Sequence, residues 1–200
     1  MMMPINDSEI HEIVKRVLAR VNEPAVPSAI SSNSVVAAES LKQKTEQKKV
    51  VAIGSDHGGF DLKESLKTYL KELGFEVVDC GCPDKNAVDY PDFAHAVATM
   101  IAAGTAWRGV MIDGAGIGSC MVGNKVPGVR AALCYDYATA VNSREHNDAN
   151  MLTLGAGLIG INLAKQIVKT WLETAYAGGR HKNRIDKLLQ IERSYLKTGS

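Results

Sequence analysis

Gly109-Val-Met-Ile-Asp-Gly-Ala-Gly-Ile-Gly-Ser119 is the stretch from which the rest of the chain can be read. Its apolar run, Val110-Met111-Ile112, reads as a buried strand that ends on a single carboxylate, Asp113. Gly114, Gly116 and Gly118 follow at alternate positions, where glycine lets the main chain approach a ligand closely. Successive N–H groups in such a loop, running into a helix, form a cradle for anions. A strand-end carboxylate beside a nest of donors can remove a proton and hold the resulting oxyanion. The spacing matches neither the Gly-x-Gly-x-x-Gly of dinucleotide folds nor a P-loop, so nucleotide binding is disfavoured.

Working outward, Val50-Val51-Ala52-Ile53 is another apolar strand, ending at Gly54-Ser55-Asp56-His57-Gly58-Gly59. Leu62, Leu66, Tyr69, Leu70 and Leu73 mark a helix that stops at Gly74. Phe75 to Asp79 reads as a strand, and Pro91 opens a helix that Gly104 ends. Downstream, strands are expected at Val129–Cys134 and Met151–Leu154. Helices are expected from Asp136 to Arg144, from about Gly160 to Tyr176, and from about Lys182 to Leu196. Helices alternating with strands that are apolar throughout predict an α/β fold with a five-stranded parallel sheet covered on both faces. Ligands of such sheets bind beyond the carboxyl ends of the strands, which selects Ser55, Asp56 and His57 after the first strand, Asp113 to Ser119 after the third, and the residues after the fourth and fifth.

Two hundred residues, 46% hydrophobic, suffice for one ordinary core with something appended. A net charge of +1 gives no reason to expect a nucleic-acid or membrane-surface partner. No apolar run approaches the roughly 20 residues needed to span a bilayer. Cys80, Cys82, Cys120 and Cys134 lack zinc-ligand spacing and read as free thiols of a reducing compartment. The appended part lies at the start. Ile10, Ile13, Val14, Val17, Leu18 and Val21 share one helical face, and Asn6, Asp7 and Ser8 offer caps. The organisation expected is therefore an amphipathic helix in residues 1–21, a flexible Pro/Ala/Ser-rich linker over 22–48, and a folded domain over 49–200. Such a helix cannot bury its own apolar stripe and is expected to dock on a partner, in preference to folding back onto its own domain or trailing as a disordered tail.

Five blocks together resemble the ribose-5-phosphate isomerase B family, which includes the galactose-6-phosphate isomerase subunits. They are Gly54-Ser-Asp-His-Gly-Gly-Phe60, the glycine loop 113–119 with Asn124-Lys125, Ser143-Arg-Glu-His-Asn-Asp-Ala-Asn150, Gly178-Gly-Arg-His-Lys-Asn-Arg184, and the smaller Asp89-Tyr90-Pro91. The resemblance spans residues 49 to 196. It implies a Rossmann-like three-layer sandwich and aldose–ketose isomerisation of a sugar phosphate through an enediolate, with no metal or organic cofactor. It also implies a homodimer, or a dimer of dimers, with active sites shared between subunits.

Carried over residue by residue, the resemblance puts Asp56 and His57 in the sugar site, with His57 in reach of the phosphate. His146 would assist ring opening, Asn147 would contact sugar oxygens, and Arg180 and Arg184 would bind phosphate, with His181 a lesser candidate. Asp113 would shuttle the proton, and the N–H groups of Gly114, Ala115, Gly116, Gly118 and Ser119 would hold the enediolate. From the residues alone, Arg180 and Arg184 are four apart and would share a helix face able to grip a phosphate. Asp56 would also suit a helix cap.

Three residues depart from the pattern. Asp113 stands where many relatives carry cysteine, Ala115 where a threonine is usual, and Gly157 where many have arginine. An Asp in this loop also occurs in one galactose-6-phosphate isomerase subunit type. Cys120, past the last glycine, is expected to pack rather than act as the base. These departures favour, as an alternative, a weak or inactive homologue that binds a sugar phosphate or serves as scaffolding cargo. Residues 5–21 resemble the encapsulation peptides of bacterial microcompartment cargo. That implies shell or cargo proteins as partners and a cytoplasmic enzyme enclosed in a protein shell.

Overall fold

The computed structural model describes residues 49–196. The helix expected in residues 5–21 and the linker over 22–48 lie outside them. Five parallel strands, β1 (Val50–Ser55), β2 (Glu76–Asp79), β3 (Arg108–Asp113), β4 (Ala131–Leu133) and β5 (Met151–Gly155), form one sheet in the order β2-β1-β3-β5-β4. Between and after them come α1 (Phe60–Glu72), α2 (Tyr90–Ala102), α3 (Ile117–Gly123), α4 (Tyr137–Glu145), α5 (Ile161–Glu173) and α6 (Lys182–Tyr195). This is the expected Rossmann-like α/β architecture.

β1, β3 and β5 are buried on both faces, as their unbroken apolar character predicts. Leu62, Leu66 and Leu70 of α1, with Ile167, Val168 and Trp171 of α5, cover one face in a single cluster with Val51, Val110 and Leu152. Each such side chain contributes about 1.5–3 kcal/mol by leaving water. α2 covers the other face at short range because the strands present glycine to it. A Cβ at Gly54 would lie 2.7 Å from Val97, and one at Gly109 would lie 2.5 Å from Val97 and 2.7 Å from Ile101.

Two buried cations tie helices to strand ends. Lys63 of α1 is 1% exposed; its Nζ donates to Cys82 O at 2.8 Å and to both Asp79 carboxylate oxygens at 3.1 and 3.2 Å. Arg108, at the start of β3, donates to Trp171 O at 2.8 Å, Leu172 O at 2.9 Å and Thr174 O at 3.4 Å. Those carbonyls belong to the last turn of α5, which therefore stops at Glu173 rather than continuing to the expected Tyr176. Burial, then the neighbouring Arg144, pushes the Arg108 guanidinium down to about 9. β4 is also shorter than expected. Before Ala131, the Asn150 carboxamide takes the Arg130 N–H at 2.7 Å in place of a ladder bond.

Candidate active site

The residues selected from the sequence fall on two edges of the sheet. β1, β3 and β5 place Asp56, His57, Asp113 and the glycine loop at the carboxyl edge. α4 runs back from the end of β4, so its C-cap His146, with Asn147, lies at the amino edge before β5 begins. α5 runs back likewise, and Arg108 at the first position of β3 grips its end, which puts the segment carrying Arg180, His181 and Arg184 at that same amino edge. The length of β3 separates the two groups. Its six residues span about 17 Å at 3.3 Å per step.

At the carboxyl edge, Asp113 is 5% exposed and its carboxylate serves its own loop. Oδ1 accepts from Ala115 N at 2.8 Å and from Gly116 N. Oδ2 accepts from Ser119 N at 3.1 Å and from the Ser119 hydroxyl at 2.5 Å. Gly116, the N-cap of α3, has φ +77 and no side chain to offer, so Asp113 caps that helix from the strand end. Asp56 N donates to Ile112 O at 3.2 Å, which sets Asp56 beside Asp113 on the neighbouring strand end. The Asp56 carboxyl accepts Gly59 N at 3.0 Å, capping the short 3-10 turn His57–Gly59. Burial raises the Asp56 carboxyl above its usual range. The Gly59 amide and His57 oppose that rise, and the Asp113 charge adds to it. His57 is exposed, and its Nδ1 sits 3.2 Å from Val88 N and 3.1 Å from Val88 O, leaving Nε2 for a ligand.

Two tyrosines complete this edge and were not among the residues selected above. A Cβ on Gly118 would lie 2.5 Å from the Tyr90 ring, so the ring lies directly over the loop. Tyr135 donates from its hydroxyl to Ala115 O at 2.6 Å. Tyr90 stood in the quoted Asp89-Tyr90-Pro91 block but had no role attached. Tyr135 follows β4, where the strand-end rule pointed without naming a residue. Gly157 N donates to Gly114 O at 3.0 Å and fastens the loop from the β5 side. Cys120 packs half-buried, with Sγ 3.5 Å from Ala131 O.

At the amino edge, His146 and His181 stack with ring centroids 4.2 Å apart and 10° between planes. Asn142 Nδ2 lies 2.9 Å from His146 Nδ1, and Ala177 N donates to Glu145 O at 3.0 Å, joining the two segments. Burial, then the charges of His146, Arg180 and Arg184, holds the His181 imidazole below its usual range. Arg180 and Arg184 are exposed and make no ion pair among the described residues. Arg180 lies in the 3-10 turn Gly179–His181 and Arg184 in α6, so the single shared helix face expected for them is corrected to a turn followed by a first helical turn. Two guanidiniums beside two imidazoles are groups chemically able to pair with an anion. No group of three or more His, Cys, Asp and Glu side chains stands in a metal-holding arrangement among the described residues.

A doubly covered parallel sheet, with an acid–amide nest at one edge and an arginine–histidine cluster at the other, is the ground plan of an α/β enzyme. The chain belongs to the ribose/galactose isomerase family, whose profile matches residues 51–188. It is 42% identical over 144 residues to ribose-5-phosphate isomerase B of Escherichia coli, covering 72% of this chain and 97% of that protein. It is 40% identical over 139 residues to the D-erythrulose-4-phosphate isomerase of Pectobacterium atrosepticum, covering 69% of this chain and 91% of the relative. The structure of Clostridium thermocellum ribose-5-phosphate isomerase B aligns with a TM-score of 0.73 at 47% identity, over 74% of this chain and 99% of that one. The protein is thus an enzyme of the intramolecular-oxidoreductase class, a sugar-phosphate isomerase.

Proposed function

We propose that the protein interconverts the aldose and ketose forms of a ribose-5-phosphate-like sugar phosphate through an enediolate, as a homodimer. The observation that carries this is the split between edges. Asp56, His57 and the amide nest face one way, the phosphate-binding set faces another about 17 Å off, and neither set alone can both grip and transform a substrate. A second copy that sets its amino edge against the carboxyl edge of the first supplies the missing half.

In the combined site Arg180, Arg184 and His57 hold the phosphate, and His181 backs them. His146 opens a cyclic substrate, and Asn147 orients its oxygens. The amides from Gly114 to Ser119 stabilise the enediolate, and the strand-end carboxyls, with Asp113 the residue selected from sequence, handle the proton. No cofactor takes part in this reading. The relative that acts on a four-carbon phosphate extends the candidate substrates to tetroses, which suits the loss of a hydroxyl at Ala115.

A second reading, a homologue that binds sugar phosphate with little turnover, is favoured by the fully engaged Asp113 carboxylate. Incubating the purified protein with four-, five- and six-carbon aldose and ketose phosphates in deuterated water separates the two. Product formation, with carbon-bound deuterium at C1 or C2, supports the isomerase. Phosphate-dependent binding without product from any substrate supports the second reading. Residues 5–21 are further proposed to carry the enzyme into a cytoplasmic bacterial microcompartment by docking on shell or cargo proteins. Unchanged co-localisation with shell proteins after deletion of residues 1–21 would refute that proposal.

A further inference from the structure

The two carboxyls of the carboxyl edge are unequal. An ionised carboxylate offers about four lone-pair positions, and all four of Asp113 are taken within its own loop. Three of those donors are main-chain amides of a helix start, fixed in place by the fold. Asp56 is one strand over, about 4.8 Å away in the ladder direction, since Ser55 pairs with Ile112 in register. Its carboxyl receives the Gly59 N–H at 3.0 Å and, more weakly, the Gly58 N–H, two donors against the four on Asp113. A Cβ on Gly58 would lie 3.4 Å from Asp56 Oδ1 and 3.7 Å from Gly114 N. The Asp56 carboxyl and the first amide of the nest therefore border a common gap that no side chain fills.

We propose that Asp56, rather than Asp113, carries the proton between the two substrate carbons, while Asp113, its oxygens occupied by its own loop, shapes the amide nest. The proposal rests on the isomerase reading and deepens it by dividing the work between the carboxyls. A shuttle must take up a proton and return it, so it needs an open lone pair and no surplus of donors stabilising its charge. The groups facing Asp56 are His57 on its own turn, Asp113 from β3 and the Cys82 thiol from the segment after β2. Burial and the Asp113 charge raise the Asp56 carboxyl, which favours proton uptake there, and of the two carboxyls it is the one with room for a substrate proton.

The step balances within the substrate. The C2–H bond of the aldose breaks and its proton goes to Asp56. The freed pair forms the C1=C2 bond, and the carbonyl π pair moves onto O1. The hydroxyl proton then passes from O2 to O1, the C2=O bond forms, and Asp56 returns its proton to C1. C1 is reduced and C2 oxidised, so no external oxidant or reductant enters.

The test pairs Asp56→Asn with Ser119→Ala. Asparagine accepts the Gly59 N–H as aspartate does, so the turn keeps its cap while the base is lost. Expected for Asp56→Asn is a fall of about 10²–10⁴-fold in kcat, with inhibition by inorganic phosphate retained. Ser119→Ala removes the one side-chain donor to Asp113. If Asp56 is the shuttle, the acid limb of the kcat/KM profile stays where it is in the unaltered enzyme. An Asp56→Asn enzyme that keeps more than about a tenth of the rate, or an acid limb that moves upward in Ser119→Ala, overturns the proposal. If Asp56→Asn fails to fold, the Ser119→Ala profile decides alone. Turnover by the unaltered enzyme tells this failure from that of the isomerase reading, which falls only if no sugar phosphate is converted.

Discussion

Two inactive proteins should restore each other. In one, Asp56→Asn and His57→Ala remove the carboxyl-edge half of the site; in the other, His146→Ala and Arg180→Ala remove the amino-edge half. β3, about 17 Å long, keeps these halves at opposite edges of one chain, so in the proposed dimer a site for a substrate only several ångströms long joins edges from two chains. A heterodimer of the two variants then contains one site with both halves intact and one with both impaired. Random reassortment of equal amounts makes half the dimers mixed, each with one working site of two. The expected yield is about a quarter of the unaltered activity, against less than about a hundredth for either variant alone. The assay is turnover of the sugar phosphate after the variants are refolded together, with each variant refolded alone as the baseline. A mixture no more active than the sum of its parts, although mixed dimers are detected by mass, would refute the two-edge reasoning.

Other perturbations test single contacts. Burial raises the Asp79 carboxyl, but Lys67, the Gly81 N–H and Lys63 outweigh it and leave it below its usual range. Its stabilisation is therefore complete above the unfolded value of 3.8 and is lost as pH falls through the lower folded value. Asp79→Asn leaves the buried Lys63 ammonium with only the more exposed Glu64 carboxylate, 3.2 Å away, as counter-charge, at a cost of about 2 kcal/mol in urea unfolding at neutral pH that shrinks in acid. Phosphate binding should draw a proton onto the enzyme in mildly acidic buffer, because an anion offsets the cationic neighbours that, after burial, hold His181 down. Calorimetry in two buffers of different ionisation heat would show uptake, and release would contradict the placement. His146→Ala should slow ribose 5-phosphate by about 10²-fold or more while sparing erythrose 4-phosphate, whose O4 is esterified and cannot close a five-membered ring. Equal losses on both sugars would remove ring opening as its role. Gly118→Ala should push the Tyr90 ring off the loop and lower kcat/KM with little change in the melting midpoint, since Tyr90 is already 38% exposed.

The sheet was legible because its strands are buried on both faces and so are apolar without a break, and because glycine or proline marks most helix ends. Element ends decided by distant side chains were not legible. Nothing local to residues 171–176 announces that Arg108, more than sixty positions earlier, takes the terminal carbonyls of α5. The same limit applies at the site. Strand-end logic located Asp56, His57 and Asp113, since their position follows from strand direction alone. The capping of α3 by Asp113 depends on loop geometry that residue types leave open, as does the hydroxyl of Tyr135 on Ala115. Arg180, His181 and Arg184 came from a motif. Their opposite-edge location required knowing where two helices end.

That location gives the departures from the family pattern a common meaning. Asp113, Ala115 and Gly157 all lie at the carboxyl edge, and the Gly157 amide is bonded to the glycine loop itself. The amino edge holds His146, Asn147, Arg180, His181 and Arg184 as the family motif has them, with both guanidiniums free to bind. A phosphate is the same group whatever carbon chain bears it, so the edge that grips it gains nothing by changing. The edge that handles carbons and hydroxyls must change if the sugar does. Removing a hydroxyl at Ala115 and placing a second carboxyl beside Asp56 alters that edge alone. The proposed assembly of the site from two edges would permit this, because each edge is held by its own chain segments. The departures therefore fall where, in the proposed site, a sugar's carbons and hydroxyls would be read, and leave the proposed phosphate grip as the family motif has it. Substrate panels that vary the sugar at a constant terminal phosphate are therefore the ones that will resolve the substrate.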